Sequence, residues 1–334
     1  MIAPGRLVLA GSCLILTAAI AAGSALRLQP VADVPLGGTT TRMDYESIDP
    51  DRHLLFIAHL GDSAVIVFDT REQRVITRIE GISKVHGVLA IPELARVYAS
   101  ATGSNQVVAI DEGTFKITAR IAGGIYPDGM AYAPEAHKLY VSDEHGATET
   151  VVDVRTNQRV ATIPLGGEVG NSQYDPATKH VFANVQTRAQ LIEIDPLTDK
   201  IVARVDLEGA QGNHGLLIEP EQHRAFIACQ DNHKLLVLDL ETRKVTASFN
   251  VGDGPDVLAY DPGLRYLYVA AESGTVSVFN AQSRQLSPAG ALQIGPNAHV
   301  VAVDPDSHWS FYPLKNLGGR TVLRIMSPGA GTAP

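Results

Sequence analysis

Residues 128–166 read DGMAYAPEAHKLYVSDEHGATETVVDVRTNQRVATIPLG, and this stretch decides the fold. A short apolar run leads to Pro134, and β-rich runs follow at residues 139–141, 151–153 and 161–165. Proline fixes φ for a turn and donates no hydrogen bond to a ladder, so Pro134 marks the end of a strand. The stretch therefore predicts four short strands joined by turns.

The proline of this unit recurs in equivalent contexts along the chain, at spacings of 42, 42, 42, 44, 42 and 43 residues: Pro50, Pro92, Pro134, Pro176, Pro220, Pro262 and Pro305. After each of the first six prolines come a β-rich run, a polar stretch, a third run that commonly ends at Asp, and a more polar fourth run. Four short strands per repeated unit are typical of a propeller blade. We therefore predict an all-β, seven-bladed β-propeller with four-stranded blades.

The ring is predicted to close through its N-terminus. We expect blades at residues 45–87, 88–129, 130–171, 172–215, 216–256, 257–299 and 300–328 of one domain, residues 28–328. The last unit supplies only three candidate strands, whereas residues 31–36 match the end of a fourth strand. A strand within residues 28–37 should complete blade seven and cover its sheet edge. Residues 329–334 are expected to form a disordered tail.

The N-terminal segment predicts export. Arg6 precedes an apolar run at residues 7–22 and small residues at 23–25, the order of a secretory signal peptide spanning residues 1–25 and cleaved near Ala25. The alternatives are an uncleaved signal anchor and a lipid anchor at Cys13, although the residues ahead of Cys13 lack the Leu expected of a lipoprotein signal. The mature chain is expected to have no membrane span, to be periplasmic or secreted, and to be a monomer. Its single cysteine, Cys229, is predicted to be a buried structural thiol.

Two repeats carry a motif that indicates a family. Residues 139–142 read Leu-Tyr-Val-Ser and residues 267–270 read Leu-Tyr-Val-Ala, and alternating apolar strands follow both. They resemble the YVTN family of β-propeller repeats, which includes the periplasmic YncE-like proteins, although Tyr-Val-Thr-Asn itself does not occur here. The resemblance covers essentially the whole mature chain and implies the propeller fold. Related propellers include binding proteins, lactonases and metal-dependent lyases.

Similarity to YncE-like proteins also implies non-specific DNA binding, but the charge of the chain argues against it. The sequence holds 27 basic and 36 acidic residues, a net charge of −9. Nucleic-acid affinity rests largely on clustered Lys and Arg, which are scattered here. A nucleic-acid partner is therefore not expected.

The innermost strand of each blade lines the central channel, so residues at its start form a ring around one mouth. Counting six residues back from each repeat proline gives Asp44, His86, Asp128, Gly170, His214, Asp256 and His299. Imidazoles and carboxylates are suitable ligands for Zn²⁺, Cu²⁺ or Fe²⁺. We predict that His86, His214 and His299 bind a divalent metal, and that Asp44, Asp128, Asp256 and Asn171, the neighbour of Gly170, bind ligand. The alternatives are a metal-free ligand site, and loop capping without any ligand.

These observations favour an exported binding or scaffolding module with an unknown protein or small-molecule ligand on the face that carries the ring. The alternative is a metal-dependent, lactonase-like hydrolase or a lyase that uses the same site, with Asp128 or Asp256 as general base. The chain has no G-x-S-x-G, CxxC, HExxH or Walker motif. Catalytic residues stay unassigned.

Overall fold

The computed structural model describes residue 1 and residues 26–329, so the predicted signal peptide and residues 330–334 of the predicted tail lie outside the described residues. The described chain forms seven sheets of four antiparallel strands, arranged in a ring. The predicted all-β, seven-bladed propeller is therefore confirmed. No helix within the described residues is both long enough and apolar enough to cross a membrane.

Strands are numbered along the chain, beginning with β1 (Leu28–Pro35). Blade one comprises β2 (Glu46–Asp49), β3 (Leu54–His59), β4 (Ala64–Asp69) and β5 (Arg74–Glu80). Blade two comprises β6 (Val85–Ile91), β7 (Arg96–Ala101), β8 (Gln106–Asp111) and β9 (Lys116–Ala122). Blade three comprises β10 (Pro127–Ala133), β11 (Lys138–Asp143), β12 (Thr148–Asp153) and β13 (Gln158–Pro164). Blade four comprises β14 (Val169–Asp175), β15 (His180–Val185), β16 (Gln190–Asp195) and β17 (Lys200–Asp206).

Blade five comprises β18 (Asn213–Glu219), β19 (Arg224–Cys229), β20 (Lys234–Asp239) and β21 (Lys244–Asn250). Blade six comprises β22 (Pro255–Asp261), β23 (Tyr266–Ala271), β24 (Thr275–Asn280) and β25 (Ser287–Gln293). Blade seven comprises β26 (Ala302–Val303), β27 (Ser310–Leu317), β28 (Arg320–Pro328) and β1. Six short 3-10 helices occupy turns within residues 26–329: Leu60–Asp62, Pro92–Leu94, Thr102–Ser104, Pro134–Ala136, Gln186–Arg188 and Pro220–Gln222.

The first strand of each blade is innermost, and these strands contact one another around the axis. We call the face at which the innermost strands begin the upper face, and the face at which they end the lower face. The third strands mostly end at Asp because this side chain stabilises the turn that follows. Asp111, for example, accepts a hydrogen bond from the backbone N–H of Thr114 at 2.8 Å. Asp153 does the same for Arg155, also at 2.8 Å.

The hydrophobic core lies between blades rather than at the axis. Phe56 and Val67 of blade one pack in one buried cluster with Val97 and Val108 of blade two, and similar clusters join other neighbouring blades. An alternating strand has two faces, and each face is covered by an adjacent blade. The ring is thus held together by blade-to-blade packing.

The N-terminal strand closes the ring, as predicted. β1 pairs antiparallel with β28, from Leu28 opposite Pro328 to Pro35 opposite Val322. The Arg324 guanidinium donates two hydrogen bonds to the Asp33 carboxylate across this pair, at 2.8 and 2.6 Å. Their geometry is bidentate, the arrangement that suits Arg and carboxylate best.

Candidate functional site

A pocket of about 530 Å³ opens at the upper mouth of the central channel. Five carboxylates line it, whereas Arg42 and Lys84 are its only lining residues with fixed positive charge. These acids are Asp44, Asp128, Glu144, Asp256 and Glu272. Carboxylates thus outnumber fixed cations in this lining, which favours the entry of a cation.

Tyr45 forms the floor of this pocket. Its side chain crosses the channel from blade one, donates a hydrogen bond to Oδ1 of Asn171 at 2.6 Å, and lies 3.0 Å from Nε2 of His214. Tyr45 also lines a second cavity of about 270 Å³ farther along the channel. Tyr45 therefore borders both cavities.

Close packing of the innermost strands explains glycines beside the ring. A Cβ atom on Gly87 would lie 2.1 Å from the backbone oxygen of Asp128, and one on Gly215 would lie 1.9 Å from that of Asp256. Real Cβ atoms do not approach oxygen so closely, so these strands require glycine at both positions. The neighbouring ring side chains are brought together as a result.

The buried ring residues have shifted acidities. Burial, together with the nearby carboxylates of Asp44 and Glu144, raises the pKa of Asp128 well above its usual range. Burial, which outweighs the opposing effect of His299, raises the pKa of Asp256 to about 7. Burial lowers the pKa of His214, whose Nε2 lies 3.5 Å from Oδ1 of Asp256.

Arg42 is a site residue that the sequence prediction missed. Its Nε donates to Oδ2 of Asp44 at 3.0 Å, and its Nη1 donates to Oε1 of Glu272 at 2.6 Å. Its Nη2 lies 3.9 Å from Oδ2 of Asp256. Burial alone would lower the pKa of the guanidinium, but Asp44 and Glu272 outweigh it and raise that pKa. Arg42 is thus the resident cation of the pocket.

Glu272 and Glu144 were missed as well. Each comes directly after the second strand of its blade, in a loop on the upper face. The signal was present, since residues after the second strand share a face with the start of the innermost strand. Position in the repeat alone, however, does not tell which of these loop side chains turn inward.

The structure separates the three histidines that were predicted to bind one metal. Nδ1 of His86 lies 3.0 Å from the backbone oxygen of Lys84, and its Nε2 lies 3.1 Å from the Tyr126 hydroxyl. His214 faces Tyr45, Asp256 and Asp128. His299 belongs to a different group, with Asp256 and Glu272.

That group is compact. One potential ligand atom from each of Asp256, Glu272 and His299 lies within 4.8 Å of the other two. In the part of the chain that the structure describes, this is the one set of three or more Asp, Glu, His or Cys side chains that could hold a metal ion. Asp44 and Asn171, the other predicted ligand-binding residues, contact Arg42 and Tyr45 respectively.

Comparisons with known proteins support the fold. No protein-family model matches the chain, and no curated protein is similar to it. A solved structure of hydrazine synthase from Kuenenia stuttgartiensis is similar, with a TM-score of 0.76 and 16% identity, covering 89% of this chain and 96% of that one. A chain in a crystal structure of a mitotic checkpoint complex has a TM-score of 0.77 and 12% identity, covering 96% of this chain and 98% of that one. At such low identity these likenesses bear on architecture alone, and with the sheet topology they show that the chain is a seven-bladed β-propeller.

Proposed function

We propose that this propeller is an exported binding module, and that it takes a small cationic ligand into the upper pocket. The observation that carries the proposal is the excess of carboxylates over fixed cations in the lining of this pocket. Export to a periplasmic or extracellular location rests on the signal-like residues 1–25. The resemblance of the repeats to the YVTN family favours a periplasmic binding protein.

Unsatisfied polar atoms support a ligand at this place. Oδ1 of Asp128 and Oδ1 of Asp256 are buried and have no hydrogen-bond partner among the described residues. Leaving such groups unpaired costs roughly 1–3 kcal/mol each, and more when they are charged. A cation that enters the pocket would interact with these oxygens and remove this cost. Part of the binding free energy would therefore come from pairing the two acids.

The predicted metal on His86, His214 and His299 remains a proposal within this function. It requires His86 to leave Tyr126 and both other imidazoles to turn toward one point. Zn²⁺, Cu²⁺ and Fe²⁺ are the ions to test. The hydrolase or lyase alternative gains no specific support from the contacts of the pocket, so binding is the function that we propose.

The test measures binding of small cations to the mature chain by isothermal titration calorimetry, with ethanolamine, spermidine, Mn²⁺ and Zn²⁺ as probes. We expect Asp128→Asn to weaken binding of the cation that the pocket accepts by roughly tenfold, equivalent to 1.4 kcal/mol. Asp51→Asn is the matched control, because Asp51 is exposed on the lower face and undergoes the same chemical change.

Two results would refute the proposal. One is the absence of saturable binding for every probe. The other is an equal loss of affinity in Asp128→Asn and Asp51→Asn, which would indicate a general surface-charge effect. A protein ligand on the upper face would then be sought by cross-linking in the periplasm.

A further inference from the structure

His299 is held with one ring nitrogen free. Its Nδ1 lies 2.9 Å from the backbone carbonyl oxygen of Asn297. A carbonyl oxygen can only accept, so Nδ1 donates to it and Nε2 is the ring nitrogen that is left to bind a ligand. The side chain is only 2% exposed, and Nε2 has no hydrogen-bond partner among the described residues.

This nitrogen points at two oxygens that are also acceptors. Nε2 lies 4.0 Å from Oδ2 of Asp256 and 4.0 Å from Oε1 of Glu272. The Asp256 and Glu272 oxygens and this nitrogen thus face one another, and Nε2 has no hydrogen-bond partner among the described residues. Such an arrangement is unfavourable in a buried setting unless a cation lies between the atoms.

Arg42 provides only part of that cation. It donates to the same Oε1 of Glu272 and lies 3.9 Å from the same Oδ2 of Asp256. It does not satisfy Nε2 of His299, which stays without a partner. A single ion bound to all three atoms would accomplish what the guanidinium does not.

Asn297 positions two of the three side chains. Its backbone oxygen orients His299, and its side-chain amide donates to Oε2 of Glu272, leaving Oε1 for the pocket. Such outer contacts set the ring tautomer and the direction of a ligating carboxylate in metal sites. They mark this group as a built arrangement.

We propose that Asp256, Glu272 and His299 bind one divalent transition-metal ion, and that this ion displaces the guanidinium of Arg42. The proposal rests on the cation-binding function above and names its ligand class. One imidazole and two carboxylates suit Zn²⁺ better than Ca²⁺ or Mg²⁺, which prefer oxygen alone. With bonds of about 2.1 Å, tetrahedral ligands lie about 3.4 Å apart, so the 4.0 Å separations need to shrink by only about 0.6 Å.

Competition with Arg42 gives the proposal an unusual consequence. The ion and the guanidinium use the same two oxygens, so removal of the guanidinium should strengthen metal binding. We expect Arg42→Gln to bind Zn²⁺ about tenfold more tightly than the unmodified chain. A general loss of structure would have the opposite effect on affinity.

The experiment measures Zn²⁺ affinity and stoichiometry by calorimetry on the tag-free mature chain, followed by zinc K-edge absorption spectroscopy. We expect one Zn²⁺ with one nitrogen and two carboxylate ligands. His299→Ala should lose at least about 100-fold in affinity, and Asn297→Ala roughly 10- to 100-fold. Glu272→Gln is a second ligand variant, on a more exposed side chain, for use if His299→Ala fails to fold.

His86→Ala distinguishes this site from one built on all three imidazoles, since His86 lines the same pocket but faces Tyr126. Its Zn²⁺ affinity should change by less than about twofold. The proposal is overturned if neither the unmodified chain nor Arg42→Gln binds Zn²⁺, or if affinity falls in His86→Ala and not in His299→Ala. If Zn²⁺ does not bind but an amine does, and Asp128→Asn weakens binding of that amine, this inference fails and the proposed function stands. If no cation binds, both fail.

Discussion

Neighbouring blades meet along seams at the lower face, and these seams contain the same kinds of polar residue as the upper mouth of the channel. The two regions differ in whether those residues find hydrogen-bond partners. At the lower face, the Tyr98 hydroxyl of blade two donates to Asn157 of blade three at 2.8 Å, and Tyr140 of blade three donates to Asp199 of blade four at 2.6 Å. Both of these hydroxyls meet a partner on the next blade, whereas the buried Tyr268 hydroxyl of blade six has none among the described residues. These contacts make the seams structural.

At the upper mouth, acids crowd around a single guanidinium and several polar atoms stay unpaired. Oδ1 of Asp128 and Nε2 of His299 are buried without partners among the described residues. Sites that bind ligands commonly retain such unfavourable groups, at the expense of stability. We infer that the contacts between blades stabilise the ring, whereas the residues of the upper mouth are arranged to bind a ligand.

The largest effect is expected at the seam between blades five and six. Arg224 is 3% exposed, pairs with the buried Glu219, and donates to the backbone oxygens of residues 281, 283 and 284. Arg224→Ala leaves Glu219 as an unpaired buried charge, so we expect a loss of about 3–5 kcal/mol in the free energy of unfolding. Urea denaturation measures it.

The control for that variant is Arg265→Ala. Arg265 is 42% exposed and pairs with the exposed Glu221 at 3.2 Å, so its loss should cost at most about 1 kcal/mol. Equal effects of the two substitutions would break the distinction between buried seams and surface ion pairs.

A pH effect is expected from Glu149 in the interior of blade three. Burial, partly offset by hydrogen bonds from Ser172 and Ser142, raises the pKa of Glu149 from 4.5 to about 8. Between these values the folded chain keeps a proton that the unfolded chain has lost, so stability should fall as the pH rises through this window. Glu149→Gln should remove that decline, which we expect to be of the order of 2 kcal/mol.

Urea unfolding at pH values of about 5, 6.5 and 8 checks this prediction. The quantity to compare at each pH is the free energy of unfolding of Glu149→Gln and of the unmodified chain. Glu208→Gln makes the same change at an exposed loop position and should leave the pH profile unaltered. A difference that does not vary with pH would show that Glu149 titrates normally.

A smaller effect is expected from the seam tyrosines. Tyr140→Phe removes the hydrogen bond to the Asp199 carboxylate and should cost about 1.5 kcal/mol. Tyr268 is the counterpart in blade six, and its buried hydroxyl has no partner among the described residues. Tyr268→Phe should therefore be neutral or slightly stabilising in thermal and urea unfolding. The reverse order would show that the seam hydrogen bonds do not contribute.

The smallest effect should appear at the upper mouth, with the opposite sign. Asp128→Asn replaces a buried carboxyl group that has one unpaired oxygen, and we expect it to stabilise the chain by about 1 kcal/mol at neutral pH. Asp51→Asn should change stability by less than about 0.5 kcal/mol. Destabilisation by Asp128→Asn would mean that the mouth is organised for folding.

The architecture follows from the sequence because its signals are local. Pro134 and its equivalents end strands, alternating apolar runs form the strands, and Asp residues such as Asp111 stabilise the next turn. Even ring closure was predictable, since the last unit lacks a fourth strand and residues 28–36 supply one. Register and repeat therefore placed the ring residues at one mouth without knowledge of the tertiary structure.

The composition of the site was decided only by the tertiary structure. Arg42 and Glu272 are 230 positions apart, and only ring closure brings them together. The Tyr45 hydroxyl contacts Asn171 of blade four and His214 of blade five, while His86 lies against Tyr126. The repeat determines the position of each residue in its blade. Contacts across the ring and the burial of charged groups determine which partners its side chain meets.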